Sequence, residues 1–309
     1  MISEKFTFIG GEELIIQAYK WIPEHTKCIK GVVQISHGMA EGAHRYTHLA
    51  QYLTDNGYIV YAHDHRGHGK TAVNLDKLGI LAKEDGFQHL VLDVHRLSKR
   101  IQLEYPELPL FLLGHSMGSF VTQEYIMHYG ECLRGVLLSG SNGKQGPIVD
   151  LGLWIAGREV RKIGRDTKSV KLDKLIFGKY NKQFEPARTH FDWLSRDEEE
   201  VDKYLADPYC GRIFTAGFFY DFLSGIKYVG SLKNKKTIPE DLPIFVFSGD
   251  KDPVGRYGKG ILDLVEDYKK VGIRQVTYKL YPGGRHEMLN ETNRDEVMQD
   301  ILEWIEKLI

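Results

Sequence analysis

The sequence has few of the features that mark secreted or membrane-spanning proteins. Its three cysteines, Cys28, Cys132 and Cys210, are odd in number and widely spaced. They indicate neither a disulfide framework nor a zinc ribbon, and we expect a reducing compartment. The N-terminal residues show no basic segment followed by an apolar run, so we expect no signal peptide. No stretch approaches the roughly 18 apolar residues of a membrane span. These absences predict a cytoplasmic protein.

The chain also lacks an excess of charge of one sign. Its 41 Lys and Arg residues nearly balance 42 Asp and Glu residues, which gives a formal net charge of -1. This balance gives no reason to expect nucleic acid as a partner. No internal repeat or low-complexity tract is present. A length of 309 residues favours one core with a substantial insertion over two full domains.

What the sequence does contain is an alternation of apolar strands and amphipathic helices. The strands are continuous apolar runs, which favours burial on both faces of a mainly parallel sheet. The alternation stops near residue 141 and returns at "LPIFVFSGD" (242–250). We therefore predict an α/β fold with a mostly parallel central sheet flanked by helices. Residues 1–141 and 236–309 would form its core, and residues 142–235 an inserted, mainly helical cap, or lid.

One short motif indicates nucleophilic chemistry. The apolar run "LFLLG" (110–114) leads into Gly114-His115-Ser116-Met117-Gly118, and a helical pattern follows. A sharp strand-to-helix turn presents a Ser hydroxyl to solvent, and neighbouring chain segments leave room only for glycine two positions to either side. Ser116 is therefore the candidate nucleophile. A plain glycine-rich turn is the alternative interpretation.

Candidate partners for the serine follow later in the chain, in the order Ser, acid, His. His286 follows "PGG" after a predicted strand, and Asp250 and Asp252 follow another. We favour Asp252 as the acid because it lies farther into its loop, and we expect Asp250 to stabilise the turn. We expect Glu287 to begin a helix rather than to act in catalysis.

Two backbone amides are candidate oxyanion donors. The N–H of Met117 follows the nucleophile, and the N–H of Met39 lies in the loop after an earlier strand. We expect His37 to be structural. The compact "HDHRGHG" (63–69) predicts a polar turn near the site rather than a metal centre, because metal ligands are usually spaced on rigid elements.

Taken together, the chain resembles α/β-hydrolases of the monoacylglycerol lipase and lysophospholipase group, also called serine aminopeptidase S33-like hydrolases. The resemblance rests on "SHGMAEGAHRY", "DHRGHGKT", "GHSMGS", "SGDKDPVG" and "YPGGRHEMLNE". It extends into the insertion through "WLSRDEEEVDKYLADPYCG". The resemblance implies that Ser116, Asp252 and His286 form a catalytic triad and that Met39 and Met117 donate to the oxyanion. It also implies that no metal or organic cofactor is needed.

The composition of the insertion bears on the substrate. Residues 142–235 contain 14 aromatic residues, an apolar area that suits an acyl chain, although we expect most of them only to pack the cap on the core. Residues 158–182 carry nine Lys and Arg against three Asp and Glu. This basic stretch is either a face that contacts an anionic lipid surface or an ordinary solvated helix face.

The sequence thus predicts a serine carboxylester hydrolase that acts on monoacylglycerol, lysophospholipid or similar acyl esters. Its partner would be a small-molecule acyl ester, with peripheral contact to lipid through the cap, and nothing in the sequence indicates an oligomeric state. Two alternatives stay open. One is an amidase or aminopeptidase-type serine hydrolase, and the other is a binding protein that keeps the scaffold without the chemistry.

Overall fold

The computed structural model describes residues 1–25, 28–144 and 146–309. Its sheet has eight strands: β1 (Ile2–Ile9), β2 (Ile15–Ile22), β3 (Gly31–Ser36), β4 (Tyr58–His63), β5 (Leu110–His115), β6 (Gly135–Ser139), β7 (Ile244–Gly249) and β8 (Val276–Tyr281). The α-helices within these residues are α1 (Thr47–Asp55), α2 (Gly86–Glu104), α3 (Met117–Tyr129), α4 (Ile148–Ile163), α5 (Val170–Phe177), α6 (Glu198–Ala206), α7 (Ala216–Val229), α8 (Leu232–Lys235), α9 (Lys259–Lys270) and α10 (Arg294–Glu306).

The strands lie in the spatial order β1-β2-β4-β3-β5-β6-β7-β8. The β1–β2 and β2–β4 pairs are antiparallel, and all other neighbouring pairs are parallel. The predicted mostly parallel sheet is confirmed. Because parallel strands end at the same edge, the loops after β3, β5, β7 and β8 meet there, and these loops carry the candidate site residues.

Apolar side chains form a separate core on each face of the sheet. On one face, α2, α3, α9 and part of the cap pack in a cluster that includes Leu112, Val121 and Leu264. On the other face, α1 and α10 pack in a cluster that includes Val33, Leu49 and Ile301. Strands β3 to β7 are completely buried, as their continuous apolar runs predicted.

The two outermost strands differ from that prediction. Strand β8 has exposed and half-buried residues along most of its length, and only Tyr281 at its end is buried. Strand β1 is similarly exposed. Each has a partner strand on one side only and is incompletely covered by helices, so burial on both faces holds for the central strands alone.

The segment predicted as a cap contains α4 to α8, and its described residues add no strand to the sheet. Helix α7 packs against α4 and against α2 and α3 of the core. Its aromatic residues are buried there; they include Phe218, Phe219 and Phe222. The division into a core and a cap at residues 142 and 235 stays a prediction. None of the described helices combines the length and hydropathy needed to cross a membrane.

Candidate active site

Ser116 occupies the turn between β5 and α3. Its backbone has φ 51° and ψ -119°, in the left-handed region that residues other than glycine rarely adopt. Such a conformation costs on the order of 1–3 kcal/mol and persists only where the surrounding structure enforces it. The amide of Ser116 donates to the carbonyl oxygen of Ser139, 2.9 Å away, which ties the turn to β6. The strained turn leaves the side chain half-buried at the edge of the sheet.

The two flanking glycines are required by close packing of the backbone. A Cβ on Gly118 would overlap the carbonyl oxygen of Ser36 at the end of β3. A Cβ on Gly114 would overlap the hydroxyl of Thr122 and lie 2.5 Å from the carbonyl oxygen of Gly118. Helix α3 therefore begins so close to the neighbouring strand that no side chain fits at either position. The structure therefore agrees with the expectation that neighbouring chain segments leave room only for glycine at positions 114 and 118.

The structure brings Ser116, His286 and Asp252 together although they are far apart in sequence. Nε2 of His286 lies 2.8 Å from Oγ of Ser116, and its Nδ1 lies 3.0 Å from Oδ1 of Asp252. The carboxylate of Asp252 also accepts from the hydroxyl of Ser248 at 2.7 Å and the amide of Val254 at 2.8 Å. With Asp252 fixed on one side, the imidazole can hold its proton on Nδ1 and present Nε2 to the serine.

Burial and charge act in opposite directions on this His–Asp pair. Burial alone lowers the pKa of His286, but the charge and hydrogen bond of Asp252 outweigh it and raise the pKa above its ordinary value. Burial likewise favours the neutral form of Asp252, but the imidazole and its other hydrogen bonds lower the pKa of the carboxyl. The arrangement therefore stabilises an imidazolium, the species formed when the serine transfers its proton.

The neighbouring Asp250 has a different position. Its Oδ1 accepts a hydrogen bond from the amide of Gly283 at 2.8 Å, so it joins the loop after β7 to the loop after β8. This contact agrees with the expectation that Asp250 stabilises a turn. Asp252, two residues later, is the aspartate that contacts His286.

Met39 and Met117 lie on the two loops expected to supply oxyanion donors. Met117 is the first residue of α3, and Met39 lines the cavity in front of Ser116. Within the described ranges, neither backbone N–H has a hydrogen-bond acceptor in the protein. A backbone N–H without an acceptor in the protein can donate to an oxygen atom of a bound molecule, which both amides could do.

A buried charge network connects the Met39 loop to the His286 loop, and sequence reasoning missed it. Arg45 donates two hydrogen bonds to Glu287, at 2.5 and 2.7 Å, and a third to Glu41 at 3.0 Å. Glu41 in turn accepts from the amide of Gly38. Glu287 directly precedes a short 3-10 helix (Met288–Asn290), as expected of a helix-start residue, but its side chain does not cap that helix and instead binds Arg45. Glu41, Arg45 and Glu287 all lie in motifs that carry the family resemblance. Those motifs were the one sequence signal from which this network could have been predicted.

The histidine-rich turn forms a buried cluster of rings that meet at steep angles. His65 and His68 lie near His37, with ring centroids 4.4 and 5.3 Å away, and all are fully buried. His37 accepts from the amide of His65 at 2.9 Å, a structural contact. Burial lowers the pKa of His63 and of His68 to about 3, so these rings are neutral.

A cavity of about 760 Å³ opens in front of Ser116 and His286. Its apolar lining comes largely from the cap: Phe177, Phe191, Trp193, Leu194 and Ile213, with Tyr204 and Met39. Polar side chains around it include Asp173, Lys174, Asn181, His190 and Arg212. Four of the cap's 14 aromatic residues thus face the cavity. Trp154, in contrast, is 57% exposed on the outer surface of α4.

Residues of the predicted cap also form hydrogen bonds with the loop that carries the candidate base, His286. The amide of His286 donates to the carbonyl oxygen of Trp193 at 3.4 Å, and the amide of Glu287 donates to that of Leu194 at 2.8 Å. The Trp193 ring lies 5.0 Å from the imidazole of His286, measured between centroids. These contacts link the position of the imidazole to the position of the cap, which no local sequence pattern showed.

The parallel sheet, the serine on its sharp turn and the order of the site residues along the chain define an α/β-hydrolase. The sequence matches the family described as serine aminopeptidase, S33, over residues 27–293. The chain belongs to this family, within the monoacylglycerol lipase and lysophospholipase group, and it is a hydrolase of the carboxylesterase type.

Three similar proteins illustrate this relationship. The monoacylglycerol lipase of Mycolicibacterium smegmatis is 30% identical over 308 residues, which cover 98% of this chain and 96% of that protein. The mouse (Mus musculus) monoglyceride lipase is 27% identical over 289 residues, covering 92% of this chain and 84% of that protein. A crystal structure of a thermostable carboxyl esterase from Bacillus coagulans, in complex with glycerol, superposes with a TM-score of 0.92 at 29% identity. It covers 100% of this chain and 99% of that one.

Proposed function

We propose that the protein hydrolyses acyl esters with a single acyl chain, of the monoacylglycerol or lysophospholipid kind, through Ser116, His286 and Asp252. The observation that carries this proposal is the continuous pair of hydrogen bonds from Ser116 Oγ through His286 to Asp252, at 2.8 and 3.0 Å. These bonds lie at a cavity whose lining is mostly apolar. The names of the relatives in the monoacylglycerol lipase group agree with such substrates.

The first half of the reaction forms an acyl-enzyme. Ser116 Oγ attacks the ester carbonyl carbon while its proton passes to Nε2 of His286, and Asp252 stabilises the imidazolium. The amides of Met39 and Met117 donate to the oxygen on which negative charge develops. The imidazolium then returns the proton to the alcohol oxygen as the carbon–oxygen bond breaks, and the alcohol leaves.

The second half releases the acid by the same groups. A water molecule gives a proton to Nε2 of His286 and attacks the acyl carbon, and the two amides again hold the oxyanion. The proton returns to Ser116 Oγ when the acyl–serine bond breaks. Ser116 and His286 have the same protonation state at the end of the cycle as at its start, so the reaction as written consumes only the ester and water.

The volume and apolar lining of the cavity support a substrate with an acyl chain. A volume of about 760 Å³ lies within the range typical of small-molecule sites, and aromatic and aliphatic cap residues make up its apolar wall. The polar side chains Lys174, His190 and Arg212 also line the cavity, and we propose that they contact a glycerol or phosphoglycerol group. The acyl chain would accordingly lie against the cap.

Replacement of the serine tests the proposal directly. Ser116→Ala should reduce hydrolysis of p-nitrophenyl esters and monoacylglycerols by several orders of magnitude while leaving the circular dichroism spectrum unchanged. The wild-type protein should also be labelled by a fluorophosphonate probe, and the variant should not. Hydrolysis or labelling that persists in Ser116→Ala would refute the assignment. A wild-type protein that is not labelled would favour the binding-protein alternative.

The amidase alternative is less well supported by the cavity. A free amino group needs an acidic partner, but two of the three acidic residues that line the cavity, Glu41 and Glu287, already bind Arg45, which leaves Asp173. A panel of monoacylglycerols, lysophospholipids and aminoacyl amides, compared by kcat/KM, separates the two activities. We expect turnover of the esters, and preferential turnover of the amides would overturn the proposal.

We also propose that α4 contacts an anionic lipid surface from the cytoplasmic side. Three large apolar side chains, Ile148, Leu151 and Trp154, are 56–69% exposed along one face of this helix. Arg158 and Arg161 follow them on the same helix and are exposed as well. An apolar face bordered by basic residues is typical of helices that bind at a membrane interface.

Co-sedimentation with liposomes tests this contact. We expect stronger binding to anionic than to neutral vesicles and weaker binding by Trp154→Ala. Leu103→Ala is the matched control, because Leu103 is also a large apolar residue that is 85% exposed but lies on α2, outside the predicted cap. Equal binding to both vesicle types, or an equal loss in the control, would contradict the proposal.

A further inference from the structure

Outside the candidate active site, three different metal-ligand side chains converge where the cap meets the core. They are His44 from the core and Asp207 and Cys210 from the segment after α6. Their ligand atoms all lie within 4.8 Å of one another. Nε2 of His44 is 2.6 Å from Oδ2 of Asp207. This mixture of imidazole nitrogen, carboxylate oxygen and thiol sulfur is the donor set that Zn²⁺ accepts.

The turn after α6 fixes two of these side chains relative to each other. The amide of Tyr209 donates to Oδ1 of Asp207 at 2.8 Å, and the amide of Cys210 donates to its carbonyl oxygen at 3.1 Å. Gly211 follows with φ 64°, a conformation that allows the chain to turn away after the cysteine. Oδ2 of Asp207 stays free of backbone contacts and faces His44. Hydrogen bonds of this kind orient ligands in metal sites.

Acidic and basic side chains both lie close to the thiol of Cys210. The Cys210 side chain is buried, and it lies near Asp207 and near the two carboxylates that bind Arg45. Arg45, Lys70, whose Nζ donates to the hydroxyl of Tyr209, and Arg212, whose Nε donates to the carbonyl oxygen of Pro208, are cations in this neighbourhood. Glu41 and Glu287 are already paired with Arg45, so Asp207 is the carboxylate left to act as a ligand, and a metal ion bound to it would also replace the thiol proton of Cys210.

We propose that His44, Asp207 and Cys210 form a Zn²⁺-binding site that is separate from the catalytic residues. In tetrahedral coordination, ligand atoms about 2.0–2.3 Å from the metal lie roughly 3.3–3.8 Å from one another. His44 and Asp207 must therefore separate from their present hydrogen bond by less than about 1 Å. The side chain of His44 is 46% exposed and can make this movement, and a water molecule would complete the coordination.

A metal ion at this site would connect the predicted cap to the chain segment that follows Met39 and includes His44. The amide of Gly211 and the hydroxyl of Tyr204 already donate to the carbonyl oxygen of Ala40, both at 3.0 Å. A metal ion that joins His44 to Asp207 and Cys210 would add a strong connection between the same two segments. Bound Zn²⁺ should therefore stabilise the fold and reduce movement of the cap against this segment.

The test measures metal binding by the whole protein without any substrate, so its result does not depend on the proposed esterase activity. Metal-free protein is titrated with Zn²⁺ in competition with a chromophoric chelator, and separately with Co²⁺. We expect one ion per chain. The Co²⁺ form should show the visible bands of tetrahedral cobalt and a near-ultraviolet thiolate-to-metal charge-transfer band. Zn²⁺ should also raise the thermal unfolding midpoint.

Variants assign the ligands. His44→Gln changes an exposed residue and should fold normally, and Cys210→Ser removes the sulfur; each should weaken Zn²⁺ binding by about tenfold or more. In Cys210→Ser the charge-transfer band should be lost as well. Cys132→Ser is the matched control and should bind like the wild type. If the wild type binds no Zn²⁺, or if His44→Gln binds as tightly as the wild type, the proposal is wrong.

Discussion

Glu124 should make the stability of the protein depend on pH, and this dependence can be calculated from the structure. Its side chain is fully buried in α3, the helix that follows Ser116. Oε1 accepts a hydrogen bond from Gln88, and in the described residues Oε2 has no partner. His128 is 3.9 Å away and partly exposed, and Tyr228 is the other titratable group close by. Burial raises the pKa of Glu124 from 4.5 to about 7, although the bond from Gln88 opposes this effect.

The sign of the effect follows from the direction of this shift. A carboxyl whose pKa is higher in the folded than in the unfolded state holds its proton more tightly when folded. The free energy of unfolding therefore falls as the pH rises from 4.5 to about 7. At about 1.4 kcal/mol per pH unit, the total loss from this group is about 3 kcal/mol. Glu124→Gln keeps the shape of the neutral side chain and should remove the loss.

Urea unfolding at pH 5 and pH 8.5 measures this contribution. We expect Glu124→Gln to be close to the wild type at pH 5 and more stable by about 3 kcal/mol at pH 8.5. Glu131→Gln serves as the control, because Glu131 is exposed near the end of the same helix, and it should follow the wild type at both pH values. If Glu124→Gln loses as much stability with rising pH as the wild type does, the carboxyl is not buried in its neutral form and the reasoning is wrong.

Three further predictions concern the candidate site. Asp252→Asn should lower kcat for ester hydrolysis by roughly 10³–10⁴-fold because His286 loses the partner that fixes its tautomer. The matched variant Asp250→Asn should stay within about tenfold of the wild type, and equal losses in both would contradict the assignment. In a pH–rate profile, kcat/KM should fall on the acid side with a pKa above the ordinary histidine value, since the imidazole must be neutral to accept the serine proton; a limb at or below that value would disagree. Arg45→Gln should lower the free energy of unfolding by about 3–5 kcal/mol by leaving Glu287 buried without its cation, and an unchanged urea midpoint would argue against this network.

The sequence was most informative where a local constraint leaves few solutions. The glycines around Ser116 predict a strand-to-helix turn because neighbouring backbone excludes a Cβ there, and that turn is present. The position of Asp252 two residues farther into the loop than Asp250 favoured it as the acid, because from there its side chain can turn more easily toward the histidine. Continuous apolar runs also predicted the central strands, because helices or the cap cover both faces of these strands and every residue in them is buried.

The sequence was least informative where the role of a side chain depends on contacts with residues far away in the chain. Glu287 does lie at the start of a short helix, but its ion pair was missed because its partner, Arg45, lies 242 positions earlier in the chain. The contacts of Trp193 and Leu194 with the loop of His286 are likewise invisible in the local pattern. So is the meeting of His44 with Asp207 and Cys210, because the insertion must first fold back over the core.

The sequence by itself determined the elements of this protein: which segments are strands, where the nucleophilic turn lies, and in which order the acid and the base follow. These properties depend on backbone sterics and on hydrophobic periodicity, which act over a few residues. Only the tertiary structure decided which side chains are hydrogen-bonded to one another, which carboxylates are paired with a cation and which residues line the cavity. Those outcomes depend on burial and on charges brought together from opposite ends of the chain, and burial is a property of the folded chain as a whole.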